Sequence, residues 1–572
     1  MAEEKATTIH RRAAAGRPGA GGIATIQMGP IQQARGPEPG HTARVSRWLA
    51  AVAVIVLIIA CANAANLMVA AAVRRRHDIA VRLALGAGRA RLVRQLFVEN
   101  SCLVLTAGTA ALLIATWTGP LLRAALLPDL PPPDALLDLR VLVASVAITL
   151  AAAVLSGLVP AWYGSRLDLV STLKADGLVA QHRGGVRTAL VVIQVALTLT
   201  LLAGAGLFMR SLQKVLALDL GVDAGQVLVA TMDLEQAGRS TDQINAFYWR
   251  TIEHMARNPA VEEVAASVAY PFGMSSGMSV KIPGRDSLPR LGTRGPYYSI
   301  VTPGYFKTIG TRIIQGRAFT EVDGAGSPRV VVISETMARV LWPAGGALGK
   351  CVVLGDQPQC REVIGVAQDA RRFGVVEDPY MHVYVPWGQW GGRAISALFV
   401  RPRGDPEALI APVRKELQSL EPDLPFASVV LLQDLVDPTI RPWRLGTILF
   451  GLFGALAMAV AAVGLYSMLS YVVAQRTSEI GVRMALGADA SGVLRLVLDE
   501  GLRVMLPGLV VGLTGAYAAG RALAALLYGV SPTDLMAFAG VTVVLLAVGT
   551  LASYLAARRA AKMEPMVALR HE

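Results

Sequence analysis

Charge is scarce in this sequence. Only 17% of its 572 residues are Asp, Glu, Lys or Arg, against 53% hydrophobic, where a soluble domain carries about 25% charged residues. The apolar excess is concentrated toward both ends, in runs long enough to cross a bilayer, for which about 20 residues suffice. A soluble protein built on one large core is therefore excluded. The seven histidines are scattered without ligand spacing, so neither a metal site nor any other cofactor is expected. An ATPase signature is lacking as well. The nearest match, "AGGALGKC" at Ala344–Cys351, has Ala344 where the first glycine belongs and Cys351 where a Mg-binding hydroxyl belongs, and the phosphate loop needs both. No enzyme is expected, and any energy must come from a partner. "GMSSG" (Gly273–Gly277) matches the letters of a hydrolase elbow. That motif requires strand, sharp turn and helix, whereas "MSVKIPG" reads as another strand and no His and acid can be assigned to Ser275.

The apolar runs give about seven spans: Trp48–Val73, Leu96–Trp117, Val141–Trp162, Val186–Phe208, Ile448–Val473, Leu502–Leu527 and Leu535–Leu555. Residues 209–443 contain no spanning run. Cys61 and Cys102 fall in or beside spans and read as small membrane-compatible side chains. Asn63 and Asn66 read as hydrogen-bonding groups between helices; Tyr466, Ser470 and Tyr471 are read the same way. The net charge of +13 comes from 54 Lys and Arg against 41 Asp and Glu. These cations cluster beside the spans, as the positive-inside rule expects, so nucleic acid is not a partner and the lipid bilayer is. The basic loops at 74–94, 163–185 and 474–500 and the tail at 556–572 orient inward. The 209–443 domain then lies outside, in an α+β pattern: strands at 226–233, 263–270, 329–334, 361–367 and 395–401, and helices at 241–257 and 405–418. Residues 1–45 read as a disordered basic tail and not a signal peptide. Lys5, Arg11, Arg12, Arg17, Arg35, Arg44 and Arg47 put that tail in conflict with the outer location an odd span count assigns it.

One stretch occurs twice. "EIGVRMALGA" (Glu479–Ala488) repeats "DIAVRLALGA" (Asp78–Ala87), 401 positions apart, and the match extends to Arg75 with Arg476 and Glu99 with Glu500. Each copy leads into a span, an outer loop and another span, so the chain holds two three-span modules. The stretch reads as a short helix. Glu479 sits near its start, where the dipole favours an acid. Arg483 is one turn on, and Gly487 suits the left-handed end. Beyond it, Val493, Leu494, Val497 and Leu498 form an apolar stripe.

"QRTSEIGVRMALGA" and "CANAANLMVAAAVRRRHDIAVRLALGAGRARLVRQLFVEN" resemble the FtsX-like permease domain of MacB-type ABC transporters. "VTPGYFKTIGTRIIQGRAFTEVD", "VVISETMARVLWP" and "VIGVAQDAR" resemble the MacB-like periplasmic core domain. The resemblance implies a helical transmembrane bundle with two FtsX-like repeats and an α+β outer domain. Its divisions are a tail at 1–45, an incomplete first module at 46–175, a helix at 186–208, a periplasmic core at 209–443 and a second module at 444–572. By that comparison the first unit lacks its first span and outer domain, which implies that an inactive truncated copy is one reading. The family role implies a permease subunit for export, efflux or mechanotransmission in the cell inner (plasma) membrane. A separate cytoplasmic ABC ATPase would dock on Asp78, Ile79, Arg82, Leu85 and Gly86, and on Glu479, Ile480, Arg483, Leu486 and Gly487. A periplasmic adaptor or another extracytoplasmic protein is the outer partner, and the FtsX branch implies a non-transport regulator as the alternative. Cys351 and Cys360 bracket "VVLGDQPQ", a hairpin with Gly355, Asp356 and Pro358 at its tip. An outer location permits a disulfide, two free thiols being the other reading.

Overall fold

The computed structural model describes residues 41–74, 89–126, 139–165, 178–475 and 490–561, apart from 236, 286–287, 290, 292–295, 356, 358, 391 and 422–425. The chain divides into two compact units, residues 214–441 and the remainder.

The first unit is helical. Its helices are α1 (His41–Arg74), α2 (Arg89–Leu126), α3 (Leu139–Ser165), α4 (Leu178–Leu216), α9 (Leu432–Gln475), α10 (Ala490–Leu523) and α11 (Leu535–Ala561). Among the described residues, five stretches are long and apolar enough to cross a membrane: Ala50–Met68, Phe97–Leu121, Thr188–Leu216, Leu432–Val473 and Leu535–Arg559. Helix α3 contributes a shorter apolar stretch, Val141–Val154. Helix α10 covers the sixth expected span but is not one of these five stretches.

Packing within this unit centres on α4 and α9. Val191, Val195 and Leu199 of α4 share a buried cluster with Leu465 and Leu469 of α9, Val504 and Leu509 of α10, and Leu545 and Ala552 of α11. Val52 and Ile59 of α1 join Phe208 of α4 and Phe450 and Ala457 of α9 in a second cluster. Over half of the α4 span (56%) is buried, against 6% for the α2 span, so α4 is a bundle-centre helix and α2 a peripheral one. Lipid provides no hydrophobic drive between helices, so close approach depends on small residues. On α10, side chains added at Gly508 and Gly512 would meet Val195, Ala196 and Leu199 of α4 at 2.8–3.0 Å.

The second unit is α+β. Its strands are β1 (Leu228–Thr231), β2 (Val261–Ser267), β3 (Ser276–Gly277), β4 (Val280–Lys281), β5 (Tyr297–Val301), β6 (Ile313–Gly316), β7 (Val330–Ser334), β8 (Cys351–Leu354), β9 (Arg361–Ala367), β10 (His382–Pro386), β11 (Ala397–Pro402) and β12 (Ser428–Leu431). Its helices are α5 (Thr241–Met255), α6 (Tyr305–Ile309), α7 (Glu335–Leu341) and α8 (Pro406–Leu420). The strands form one mixed sheet in the order β12-β1-β11-β2-β5-β10-β7-β9-β8-β4, with β3 on β5 and β6 on β9. Pairing is antiparallel except for β5 with β10 and β7 with β9. Two larger cores and a smaller cluster of Val268, Tyr298 and Ile300 lie on it. One joins β1, β2, β11 and β12 to α5 and α8; the other joins β7, β8, β9 and β10 to α7.

Local sequence accounts for the helix starts. Ser240 and Gln243 form a reciprocal capping box on α5, Ser334 accepts from Met337 N at the start of α7, and Asp405 with Pro406 opens α8; each satisfies backbone donors that a helix end orphans. Strand β10, "HVYVP", is buried at every position. A strand covered on both faces lacks the two-residue alternation that betrays a half-buried one, and the sequence pattern passed over it, as it did over β5 and β12.

Candidate functional site

The expected docking positions Asp78, Ile79, Arg82, Leu85, Gly86, Glu479, Ile480, Arg483, Leu486 and Gly487 lie outside the described residues. The helices bordering them are described, and they keep the repeat. Helix α1 ends at Arg74 and α9 at Gln475; α2 begins at Arg89 and α10 at Ala490. Both boundaries recur 401 positions on.

The start of α10 is amphipathic. Val497 is buried and Leu494 packs against the same core, while Gly492, Arg495, Leu496 and Asp499 are exposed. At Gly501 the helix presses on α11: an added side chain would meet Ser553 Oγ at 2.5 Å. The position 401 earlier is Asn100, buried, whose amide donates to Ala153 O at 2.9 Å and Ser156 Oγ at 3.3 Å on α3. Both modules therefore join their second and third helices at this level through a buried serine, one against glycine and one against asparagine.

The polar residues expected between helices are inside the bundle. Asn63 and Asn66 are buried, as is Gln194, which the sequence reading did not single out, and Asn63 Oδ1 and the Gln194 amide converge on Gly464 of α9. A side chain added there would sit 2.8–3.1 Å from them. Three helices thus meet at a glycine notch faced by two amides. Tyr466 OH accepts from Arg559 Nη1 at 3.0 Å, tying α9 to α11.

In the second unit, Cys351 and Cys360 are joined as a disulfide with Cα atoms 5.4 Å apart, within the usual bridging range. Strands β8 and β9 pair beside it in antiparallel register, Cys351 opposite Glu362. Cys360→Ser is expected to cost the outer domain about 2–4 kcal/mol, the usual worth of such a crosslink. Thermal unfolding of the full chain with and without reductant checks this; equal curves for variant and parent would refute it. Next to the bridge, Arg361 is fully buried. Its guanidinium contacts Gln357, Gln389 and the ring of Trp390, 5.0 Å from the centroid. Burial, and then the neighbouring Arg329, push its pKa down to about 10. Nearby, Arg317 grips Asp323 with two hydrogen bonds of 2.7 and 2.9 Å, and the grip holds the Asp323 carboxyl below the usual range.

The two tempting motifs are structural. Ser275 Oγ accepts from the Arg372 Nε at 2.5 Å, the buried His382 instead contacts Ser299, and a strand follows Ser275 where an elbow needs a helix. The glycines of "AGGALGKC" are turn residues at positive φ leading into strand β8, not a phosphate loop opening a helix.

With this geometry in place, comparisons define the class. A model of the FtsX-like permease C-terminal domain matches residues 50–169 and again 451–565, and one of the MacB-like periplasmic core domain matches residues 188–420. The chain is a multi-pass membrane protein with a helical bundle and an α+β extracytoplasmic domain. It belongs to the FtsX/MacB-type ABC permeases. Relatives include the macrolide export ATP-binding/permease protein MacB of Escherichia coli K12 and that of Shigella flexneri. Each is 28% identical over 294 residues, 48% of this chain and 43% of the relative, so the chain spans under half the length of those relatives. Solved structures that match are the periplasmic region of MacB from Actinobacillus actinomycetemcomitans and the extracellular domain of the noncanonic ABC-type transporter YknZ from Gram-positive bacteria. The first is 17% identical and covers 39% of this chain and 96% of that one, with a TM-score of 0.28. The second is 20% identical and covers 36% and 99%, with a TM-score of 0.26.

Proposed function

We propose that this chain is the permease subunit of an ABC-type export or mechanotransmission system, coupling a separate cytoplasmic ATPase to movement of its outer domain. The observation that carries this reading is the repeat. Two segments of closely similar sequence recur along the chain, each between a pair of bundle helices whose bounds recur 401 positions apart. Two equivalent surfaces suit a two-fold partner. The basic residues beside the spans support a location of these segments at the cytoplasmic face of the inner membrane. The ATPase closes, α10 and α11 shift as a packed pair, and the outer domain responds. The relatives named above carry ATP-binding and permease functions in one polypeptide, and the matched part of this chain is the permease part. A periplasmic adaptor, or another extracytoplasmic protein, receives the motion.

The test is co-purification. Wild-type chain, expressed in a cell with its genomic neighbours, retains an ABC ATPase. Arg82→Glu with Arg483→Glu loses at least about tenfold of it, since like-charge juxtaposition at an interface costs several kcal/mol and 1.4 kcal/mol is tenfold. An ATPase that binds the double variant as well as wild type sinks the docking assignment.

A further inference from the structure

The outer end of the bundle carries a polar seam that the coupling reading leaves unexplained. Residues 524–534 join α10 to α11, and three separate fastenings tie them to the neighbouring helices. The Arg210 guanidinium of α4 pairs with the Asp534 carboxylate, both partly buried. Asp534 also accepts from Ala537 N, at 2.9 Å, and so caps α11. Ser211 of α4, fully buried, accepts from Tyr528 N at 2.8 Å and donates to Tyr528 O at 3.4 Å. The Trp443 indole of α9 donates to Leu526 O at 3.1 Å. The fit beneath is close: a side chain added at Gly520 would lie 2.4 Å from Pro532 O.

These bonds are not needed to close the loop itself, which has its own turn bonds, such as Leu527 N to Ala524 O and Asp534 N to Ser531 O. They run instead to the two helices whose chain continues into, and returns from, residues 214–441. A hydrogen-bonded ion pair at a partly buried site resists sliding more than apolar contact does, because separating it leaves a charge desolvated.

We infer that residues 524–534 form a latch that passes displacement of α10 and α11 to α4 and α9, with Arg210 and Asp534 as its positioning residues. This rests on the coupling reading above. Apolar packing alone lets α10 slip along α4; the latch makes the outer ends of the four helices move together.

The experiment uses the full chain with its co-purified ATPase in nanodiscs, Cys61 and Cys102 replaced by alanine. Spin labels are placed at the exposed Val322 and Leu139, and the change in label distance on adding AMP-PNP is read. Wild type shows a change. Arg210→Asp keeps the ATPase bound but loses the change, and Arg210→Lys, which keeps the charge, retains it. A full change in Arg210→Asp, or its loss in Arg210→Lys, overturns the latch. ATPase retention is scored separately. A wild-type chain that binds no ATPase withdraws the coupling reading and the latch with it, whereas an ATPase-bound chain indifferent to Arg210 withdraws the latch alone. If Arg210→Asp does not fold, Arg210→Gln and Trp443→Phe, which remove only donated bonds, serve in its place with the same expected loss.

Discussion

Gly512→Leu is expected to break the seam between α4 and α10 and to lower the stability of the membrane bundle. The side chain would start 2.9 Å from Leu199 Cβ and 3.0 Å from Ala196 Cα and its carbonyl oxygen. Two of those three atoms belong to backbone, so no rotamer change relieves the clash and the helices must separate. Overpacking of a closed site costs about 1–3 kcal/mol, and separation also removes the Thr200 Oγ1 donation to Gly512 O at 3.3 Å and loosens the cluster of Val195, Leu199 and Leu509. The effect should therefore sit at or above the upper end of that range. Gly451→Leu in α9 is the control, because a side chain there meets nothing within 4 Å and gains helix propensity of about 1 kcal/mol. Thermal melts in nanodiscs compare the two, and indistinguishable melting of the Gly512 and Gly451 variants would show that the glycine seam carries no weight.

The outer domain should lose stability as pH falls below about 6.5. His382 lies on the buried strand β10 with its Nε2 against Ser299 Oγ. Burial and then the neighbouring Arg372 hold its pKa well below the ordinary value. The folded state thus keeps the ring neutral, while the unfolded chain takes up a proton at about pH 6.5. A group depressed in this way contributes stability above the unfolded pKa and loses it as pH falls, at up to about 1.4 kcal/mol per pH unit. Glu377 opposes it, since burial raises its pKa and its protonation favours the folded state as pH falls toward the carboxylate range. Below about pH 4, Asp323 adds to the loss, because its depressed carboxyl must protonate. Hydrogen exchange of β10 and β5 in the full chain, followed from pH 7.5 to 5, checks this. His382→Gln should flatten the upper part of the profile, and a wild-type profile already flat there would refute the assignment.

Much of the architecture was legible in the sequence. Strand β9 occupies the same residues as its expected 361–367 stretch, and β1, β2, β7, β11, α5 and α8 lie within a few residues of theirs. Helices α5 and α8 have clear caps, and the strands are runs rich in β-branched residues, β7 ("VVVIS") among them although it is buried at every position. What was missed was short or lacked alternation: strand β10 is covered on both faces, β3 holds two residues, and β12 is a four-residue edge strand. None of these carries a periodic signature. The proposed docking segments were picked out by their repetition and by the family resemblance, which mark a place in each module without describing its contacts.

The sequence by itself determined where apolar helices lie, that an FtsX-like segment occurs twice, and that an α+β domain interrupts the apolar helices, because those properties are carried by runs and repeats of neighbouring residues. Only the tertiary structure decided which helix is central. The apolar runs of α2 and α4 look alike, since lipid-facing and helix-facing positions are equally apolar and hydrophobicity carries no inward direction in a bilayer. Glycines at 508 and 512 and the convergence of Asn63 and Gln194 on Gly464 place α4 at the centre. The tertiary structure alone also joined Arg210 to Asp534, 324 positions apart. A pair at that separation has no local sequence pattern, and its energy exists only once packing has brought both charges to the same partly buried place.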